Sequence, residues 1–231
     1  MTIRTDLEDF VGKTLREQWT KRDGRVVPDT DDVALSNVAV TLDATVLYAD
    51  LAKSTQMVRD NKWHFPAEIY KSFLYTASRL IRHHTGTITA FDGDRVMGVF
   101  LGDSKNTNAA KTALRINWAA KQLIQPAIEA QYPSKNYALE HRVGVDTSEI
   151  HVIRAGVRGS NDLVWVSNAA NNAAKMAALA PTYPSYVTAA VYNRLNKEAK
   201  FSLKNGQDRW QDLGTRDLGY RIYGSTWWWS P

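Results

Sequence analysis

Apolar residues recur at helical spacing in several segments of the chain. In residues 4–20 the apolar side chains share one side of a predicted helix: Leu7, Phe10, Val11, Leu15 and Trp19. The same spacing returns over residues 67–84 and 106–130, and a period near 3.6 is typical of a helix with one buried face. An alanine-rich helix is predicted over residues 168–180, and residues 186–198 also have helical spacing.

Extended segments alternate with these helices. Residues 38–50 contain the run Thr45-Val46-Leu47-Tyr48-Ala49, whose β-branched and aromatic content predicts a strand buried on both faces. Two β-rich runs, 87–91 and 95–100, flank Asp92-Gly93, and this dipeptide is typical of a two-residue hairpin turn. Further strands are predicted at residues 142–145, 163–166 and 220–223 and near Leu203. This order of elements predicts an α+β fold with a ferredoxin-like βαββαβ core.

Composition narrows the class of protein. The chain has 231 residues and no cysteine, which excludes disulfides and thiolate zinc sites. No apolar run approaches the ~20 residues that span a bilayer, and the first ten residues lack the apolar core of a signal peptide. We therefore expect a cytoplasmic protein without a membrane partner. The net charge of +5 favours anionic partners.

Two carboxylates stand at predicted strand ends. Asp50 ends the first strand of the core, and Asp94 stands where the second hairpin strand begins. If these strands pair, both acids project from one edge of the sheet and repel each other unless a cation intervenes. Mg²⁺ typically binds one or two carboxylates together with phosphates. An aspartate at a strand end can also be a simple turn or helix cap.

The alanine-rich helix carries a second polar pair. Asn171 and Lys175 are four residues apart and therefore share one helix face. An amide and an ammonium suit a ribose oxygen and a phosphoryl oxygen, although a solvated helix face would look the same. The surrounding alanines allow the helix backbone to approach a neighbour closely.

Four segments in order, over about residues 40–185, resemble the class III adenylyl and guanylyl cyclases. The family's apolar-Phe-x-Asp-Ile-x-Gly-Phe-Thr segment is similar to residues 46–55 (VLYADLAKST), and its Gly-Asp hairpin to residues 91–97 (FDGDRVM). Its Arg-Val-Gly-Ile strand is similar to residues 141–145 (HRVGV), and its Asn-x-Ala-x-Arg helix to residues 171–176 (NNAAKM). Each motif alone is unspecific, but four in family order are a strong indication.

The resemblance implies a role for each motif. Asp50, Asp94 and the Leu51 carbonyl would hold two divalent cations, Mn²⁺ or Mg²⁺. The triphosphate would lie on backbone amides of four residues: Ala52, Lys53, Ser54 and Thr55. Asn171 would orient the ribose. Lys175 stands where the family usually has arginine, which keeps the charge but loses the two-pronged geometry.

The resemblance also implies a homodimer. In the family the metal aspartates come from one chain and the helix residues from the other, and this chain carries both sets. We expect a head-to-tail homodimer with two equivalent sites. Residues 1–40 would form an N-terminal helical extension, and residues 41–231 the catalytic domain with a C-terminal extension.

The chain departs from the family motifs at positions that contact the nucleotide base. The family's purine enzymes read it with polar residues at two positions that here hold Ala90 and Val164, and Ser167 replaces the motif glycine before the helix. This pattern resembles the bacterial pyrimidine cyclases of antiphage defence, whose cyclic product activates a separate effector. The resemblance implies UTP in preference to CTP, with Tyr48 contacting the base. Tyr48 could equally pack in the sheet.

Other functions stay open at this point. The Lys175 and Ser167 replacements would also suit a catalytically silent nucleotide-binding regulatory module, and a purine (ATP or GTP) cyclase is a further alternative. A basic nucleic-acid-binding domain would rest on the net charge alone, and we expect no nucleic-acid partner.

Overall fold

A computed structural model describes residues 2–180 and 182–231, which form two compact units. Of these described residues, one unit comprises 2–43 and 149–167, and the other comprises 44–148, 168–180 and 182–231. The helices are α1 (Ile3–Arg16), α2 (Ser54–Asp60), α3 (His64–His83), α4 (Lys105–Ala119), α5 (Gln125–Gln131), α6 (Asn168–Ala177), α7 (Ala189–Tyr192) and α8 (Lys197–Lys200). The strands are β1 (Thr20–Asp23), β2 (Val38–Leu51), β3 (Thr87–Asp92), β4 (Arg95–Phe100), β5 (His141–Val157), β6 (Ser160–Val166), β7 (Ser185–Thr188), β8 (Gln211–Asp212) and β9 (Ile222–Ser225).

The larger unit contains the predicted βαββαβ core. Its strands follow the order β3-β4-β2-β5-β7-β9-β8, in which β4 is antiparallel to both β2 and β3. Helices α3 and α4 supply apolar side chains to a core shared with β2, β4 and β5. Val46 and Leu47 are both fully buried, as expected for a strand covered on both faces. The predicted α+β fold is therefore confirmed.

Gly144 explains how α6 reaches the sheet. A Cβ atom at this position of β5 would lie 2.1 Å from the carbonyl oxygen of Ala173 and 2.8 Å from the Met176 side chain. Only glycine lets the helix backbone approach the strand this closely. The alanine-rich sequence of α6 thus serves close packing, and Ala173 and Ala177 are buried there.

The smaller unit is built from two strand pairs and α1. Strand β1 is parallel to the first residues of β2, with Thr20 opposite Val38. The last residues of β5 form a hairpin with β6, in which Ile153 is opposite Val164. Arg154 of this hairpin donates to Asn161 and forms an ion pair with Asp31 at 3.2 Å.

Three sequence-based assignments are wrong in detail. Helix α1 ends at Arg16, so Trp19 lies outside it. Residues 186–198 do not form one helix: Ser185–Thr188 pairs with β5 as a parallel strand, and two short helices follow. Leu203 lies in an exposed turn and not in a strand. Tertiary pairing outweighs the weak helical spacing of these short segments.

The predicted helix over residues 106–130 is real but interrupted. It consists of α4 and α5 joined by one π-helical turn, Ala120–Ile124. Among the described residues, no helix is both long and apolar enough to cross a membrane.

Candidate active site

Asp50 lies at one rim of the sheet beside an arginine. In the β2–β4 register Asp50 is opposite Arg95, and Arg95 Nη2 lies 3.3 Å from Asp50 Oδ2. The Asp50 side chain is only 14% exposed. Burial raises the pKa of Asp50, the Arg95 charge opposes this increase, and the neighbouring carboxylates of Asp94 and Asp92 add to it. Arg95 is a cation at this rim to which the sequence analysis gave no role.

Asp94 lies in the hairpin turn that follows. Asp92 pairs with Arg95, so the two turn residues are Gly93 and Asp94, one position later than predicted. Gly93 has φ of +60°, a backbone conformation that favours glycine. The Asp94 Oδ2 atom is buried and has no hydrogen-bond partner among the described residues. Asp94 is also close enough to Asp50 to raise its pKa.

These two carboxylates fit a divalent cation. A buried carboxylate oxygen without a partner is costly, and a hard cation would compensate it. The described residues contain no group of three or more His, Cys, Asp or Glu side chains arranged to hold a metal by themselves. An ion at this rim would therefore complete its shell with phosphate oxygens, water or backbone carbonyls such as that of Leu51, which is the usual situation for Mg²⁺.

The turn after β2 is fixed by an ion pair. Lys53 has φ of +60° and stands where the resembling motif has glycine. Its Nζ lies 2.5 Å from Glu140 Oε1, and this hydrogen bond is the main reason that the pKa of Glu140 is lowered. The Ala52 N–H donates to the Glu140 carbonyl oxygen at 2.9 Å. Since this amide is occupied, phosphate oxygens would instead meet amides at the start of α2, which lack intrahelical partners.

A cavity of about 270 Å³ joins this turn to β5 and α6. Its lining residues are Asp50, Leu51, Ala52, Lys53, Arg142, Ala177, Ala178 and Leu179. The Arg142 side chain is only 5% exposed, and its Nη1 donates to the His141 carbonyl at 2.6 Å. Its Nε atom is buried without a partner in the described part of the chain. Arg142 was visible in the third motif, but its type and position alone did not indicate that it lines the cavity.

Tyr70 of α3 is another neighbour that the sequence did not reveal. Its pKa is raised by burial and by the charges of Asp94 and Asp50, and a hydrogen bond to Ser54 opposes this increase. Tyr70 therefore lies near both aspartates and near the first residue of α2. An aromatic residue at a helical core position gives no sequence signal for such a role.

Asn171 and Lys175 occupy a different environment. Both are exposed on α6, and within residues 2–180 and 182–231 their side chains make no hydrogen bond or ion pair. The neighbouring Asn172 points inward instead and donates to Asp146 Oδ2 at 2.8 Å, while Thr188 donates to Asp146 Oδ1 at 2.5 Å. The structure does not bring Asn171 or Lys175 into the cavity beside Asp50.

The candidate base-contacting residues share one row of the sheet. Tyr48 is opposite Met97, and Met97 is opposite Ala90, so the three side chains lie on one face across β2, β4 and β3. Tyr48 is two residues from Asp50 and therefore on the same face, one row away. Val164 lies on β6 of the smaller unit and is 43% exposed.

The arrangement of the larger unit suits chemistry on a phosphate chain. Asp50 and Asp94 offer hard oxygen ligands at one rim, and Arg142 and Lys53 bring positive charge to the adjacent cavity. A row with one phenol and no charged side chain lies next to the aspartates. Such a site can bind a triphosphate through a divalent cation, with the nucleotide base lying against the row that contains Tyr48.

Three curated relatives match the whole chain. A uridylate cyclase of Burkholderia cepacia is 48% identical and covers 100% of both chains. A uridylate cyclase of Xanthomonas perforans is 45% identical over 99% of each chain, and one of Rhodovulum sp. (strain MB263) is 43% identical over 100% of this chain and 99% of its own. No protein-family model matches the chain.

Solved structures agree with the fold. A bacterial light-regulated adenylyl cyclase superposes with a TM-score of 0.68 at 21% identity, covering 80% of this chain and 90% of that one. The adenylyl cyclase CyaB from P. aeruginosa gives a TM-score of 0.67 at 18% identity, covering 81% and 95%. The predicted resemblance is confirmed: the chain has the fold of these adenylyl cyclases and is an enzyme of the uridylate cyclase family.

Proposed function

We propose that this enzyme converts UTP into 3′,5′-cyclic UMP and pyrophosphate, using two divalent cations held by Asp50, Asp94 and the Leu51 carbonyl. The observation that carries the proposal is the buried Asp94 Oδ2 atom near Asp50, which has no partner among the residues that the structure describes and lies near a cavity lined by Asp50 and Arg142. The full-length relatives named uridylate cyclase support the choice of nucleotide. Bound Mn²⁺ or Mg²⁺ would lower the pKa of the ribose 3′-hydroxyl and neutralise charge on the triphosphate.

The residues of this chain position the reacting groups. The 3′-oxygen loses its proton to solvent and forms a bond to the α-phosphorus, while the bond from that phosphorus to the pyrophosphate oxygen breaks. Arg142 and the amides of Lys53, Ser54 and Thr55 bind the phosphate oxygens and stabilise the charge that gathers on the leaving pyrophosphate. Positioning of this kind supplies most of the rate in phosphoryl transfer.

The preference for a pyrimidine base follows from the row of Tyr48, Met97 and Ala90, which lacks the polar side chains that bind a purine. The Ala90 side chain offers no hydrogen bond to a purine, and the Tyr48 side chain lies in the same row of the sheet. A site that pairs none of a purine's polar groups cannot select a purine over a smaller base. A smaller pyrimidine would lie against Tyr48, and UTP is favoured over CTP on the names of the relatives.

The exposed pair on α6 supports a head-to-tail homodimer with two shared sites. Asn171 would orient the ribose of the site formed by the partner's aspartates, and Lys175 would contact the phosphoryl group undergoing attack. In such a symmetric dimer each protomer contributes both halves, one to each site. The cyclic product would act in the cytoplasm as a signal for a separate effector in antiviral defence.

A substrate panel tests this function. The purified protein is incubated with Mn²⁺ or Mg²⁺ and with UTP, CTP, ATP or GTP, and cyclic nucleotide and pyrophosphate are both measured. We expect cyclic UMP as the main product and no product after chelation of the metal. Preference for ATP or GTP would contradict the pyrimidine proposal, and binding of UTP without release of pyrophosphate would indicate a silent regulatory module.

A further inference from the structure

Helix α1 carries an apolar face that no other described part of the chain covers. The face consists of Ile3, Leu7, Phe10, Val11 and Leu15, which are 52–82% exposed. No residue of α1 is buried within the described chain. Single exposed apolar residues are ordinary, but a continuous stripe along a whole helix marks a surface that binds something.

The helix is nevertheless held in place. The Thr2 side chain accepts a hydrogen bond from the Thr5 N–H and caps the first turn. At the other end the buried Asn37 Nδ2 donates to the carbonyl oxygens of Thr14 at 2.8 Å and Glu17 at 2.9 Å. Isolated helices of this length are marginal in water. A capped and anchored helix with an open apolar face therefore points to a partner that packs on it.

The charges of α1 indicate which partner fits. The first half contains Arg4 and three acids, Asp6, Glu8 and Asp9, giving a net charge of −2. The second half contains Lys13 and Arg16, giving +2. A second copy of α1 running in the opposite direction places each acidic half against a basic half, whereas a parallel copy places like charges together. A lipid surface fits less well, because helices that lie on anionic membranes have polar faces rich in lysine and arginine.

We propose that α1 packs antiparallel against the α1 helix of a second copy of this chain, across a two-fold axis. The contact is isologous, so the same stripe serves both partners. Phe10 lies near the axis, and Ile3 of one copy lies opposite Leu15 of the other. A helix of this length spans about 21 Å. It supplies only part of the roughly 800 Å² that each partner buries in a stable interface, so it adds to a larger contact between the copies.

Cysteine cross-linking tests the direction of the pairing, because the chain has no cysteine of its own. Phe10→Cys is expected to give a disulfide-linked dimer under mild oxidation. Ile3→Cys alone is expected to give none, since its symmetry mate lies about 18 Å away along the helix and a disulfide needs Cα atoms within about 7 Å. An equal mixture of Ile3→Cys and Leu15→Cys is expected to link as a heterodimer. Asp9→Cys is the matched control, because Asp9 lies at the same height as the axis but on the opposite face of the helix.

A second measurement does not depend on thiol chemistry. Phe10→Glu is expected to raise the dimer dissociation constant at least about tenfold in sedimentation experiments, as for other central apolar interface residues. A dimer of unchanged affinity would overturn the proposal, as would linkage of Ile3→Cys to itself or of Asp9→Cys as readily as Phe10→Cys. Vesicle binding that Phe10→Glu abolishes, without any change in dimerisation, would assign the stripe to lipid. None of these readouts requires cyclase activity, so this proposal and the proposed function can fail separately.

Discussion

Two regions of the larger unit carry the candidate chemistry in opposite ways. At the sheet rim, the candidate side chains are held by their own chain: Asp50 by Arg95, Lys53 by Glu140, and Arg142 by the His141 carbonyl. On α6, by contrast, Asn171 and Lys175 are exposed and have no side-chain partner within the described residues. The side chains at the rim are therefore positioned without substrate, whereas Asn171 and Lys175 have no group within the described chain that positions them.

This difference is what a shared site requires. The half of such a site that would bind metal and phosphate is positioned by contacts within one chain, and Arg95 and a bound cation would compensate the repulsion between its carboxylates. A group that completes the site of another protomer must stay accessible until the two chains meet. The packing of α6 follows the same logic, since Asn172 and the alanines face the sheet and leave Asn171 and Lys175 outside.

The rim is expected to be indispensable. Asp50→Asn should lower the rate of cyclic nucleotide formation at least about a thousandfold, because the neutral amide no longer holds the cation that activates the 3′-hydroxyl. Circular dichroism and thermal unfolding would show that the variant is folded. Asp103→Asn, at an exposed loop position after β4, is the control and should keep full activity. If Asp50→Asn retained near-normal turnover, the metal assignment would be wrong.

The α6 face is expected to act in trans. Asn171→Ala should lower turnover about a hundredfold, a loss typical of one transition-state contact. Mixed in equal amounts with Asp50→Asn, it should recover about a quarter of wild-type activity, because half the dimers are mixed and each has one intact site. A mixture as inactive as its two components, although the chains exchange, would show that both residues serve one site within a single chain.

The stability of the protein is also expected to decrease in acid, because His141 is buried beside Arg142. Burial lowers the pKa of His141 to about 3, so it stays neutral in the folded protein while the unfolded chain takes up a proton near pH 6.5. Stability from this group is complete above pH 6.5 and falls as the pH decreases toward 3. Relative to a His141→Leu variant, the wild type should lose about 2 kcal/mol of unfolding free energy between pH 7 and pH 5.

Chemical denaturation at several pH values checks this expectation, since the difference between the two proteins isolates one histidine. His64→Leu, at an exposed position on α3, is the control for a change of histidine content. An unfolding free energy that falls with pH equally in wild type and in His141→Leu would show that carboxylates and not His141 cause the acid sensitivity.

The sequence predicted the parts of the fold that local pattern determines. The strand ending at Asp50, the hairpin around Gly93 and the helices α3 and α6 are confirmed, because hydrophobic period and turn chemistry are properties of neighbouring residues. The strand at Ser185–Thr188 was missed because it exists through pairing with Val143–Val145. The long continuation of β5 to Val157 likewise depends on its partner β6.

For the candidate site, the sequence indicated residues that belong to motifs and missed residues that become neighbours of the site only when the chain folds. Asp50, Asp94 and the α6 pair were proposed from spacing and resemblance. Arg95 and Tyr70 were not, because their importance depends on the register of β2 with β4 and on the packing of α3. The assignment of these residues to catalysis is a prediction that the variants described above would test.

The smallest expected effect concerns the ion pair that fixes the turn after β2, whose amides are proposed to bind phosphate. The Lys53–Glu140 pair is partly exposed, so Glu140→Gln should lower the unfolding free energy by less than about 1 kcal/mol. Because the turn that holds the phosphate-binding amides is then less fixed, KM should rise about two- to fivefold. Lys53→Gly keeps the left-handed backbone without the ion pair. In that background Glu140→Gln should change KM less, and the double-mutant cycle measures the difference. If Glu140→Gln instead lowered KM, Lys53 would be a phosphate ligand that Glu140 restrains.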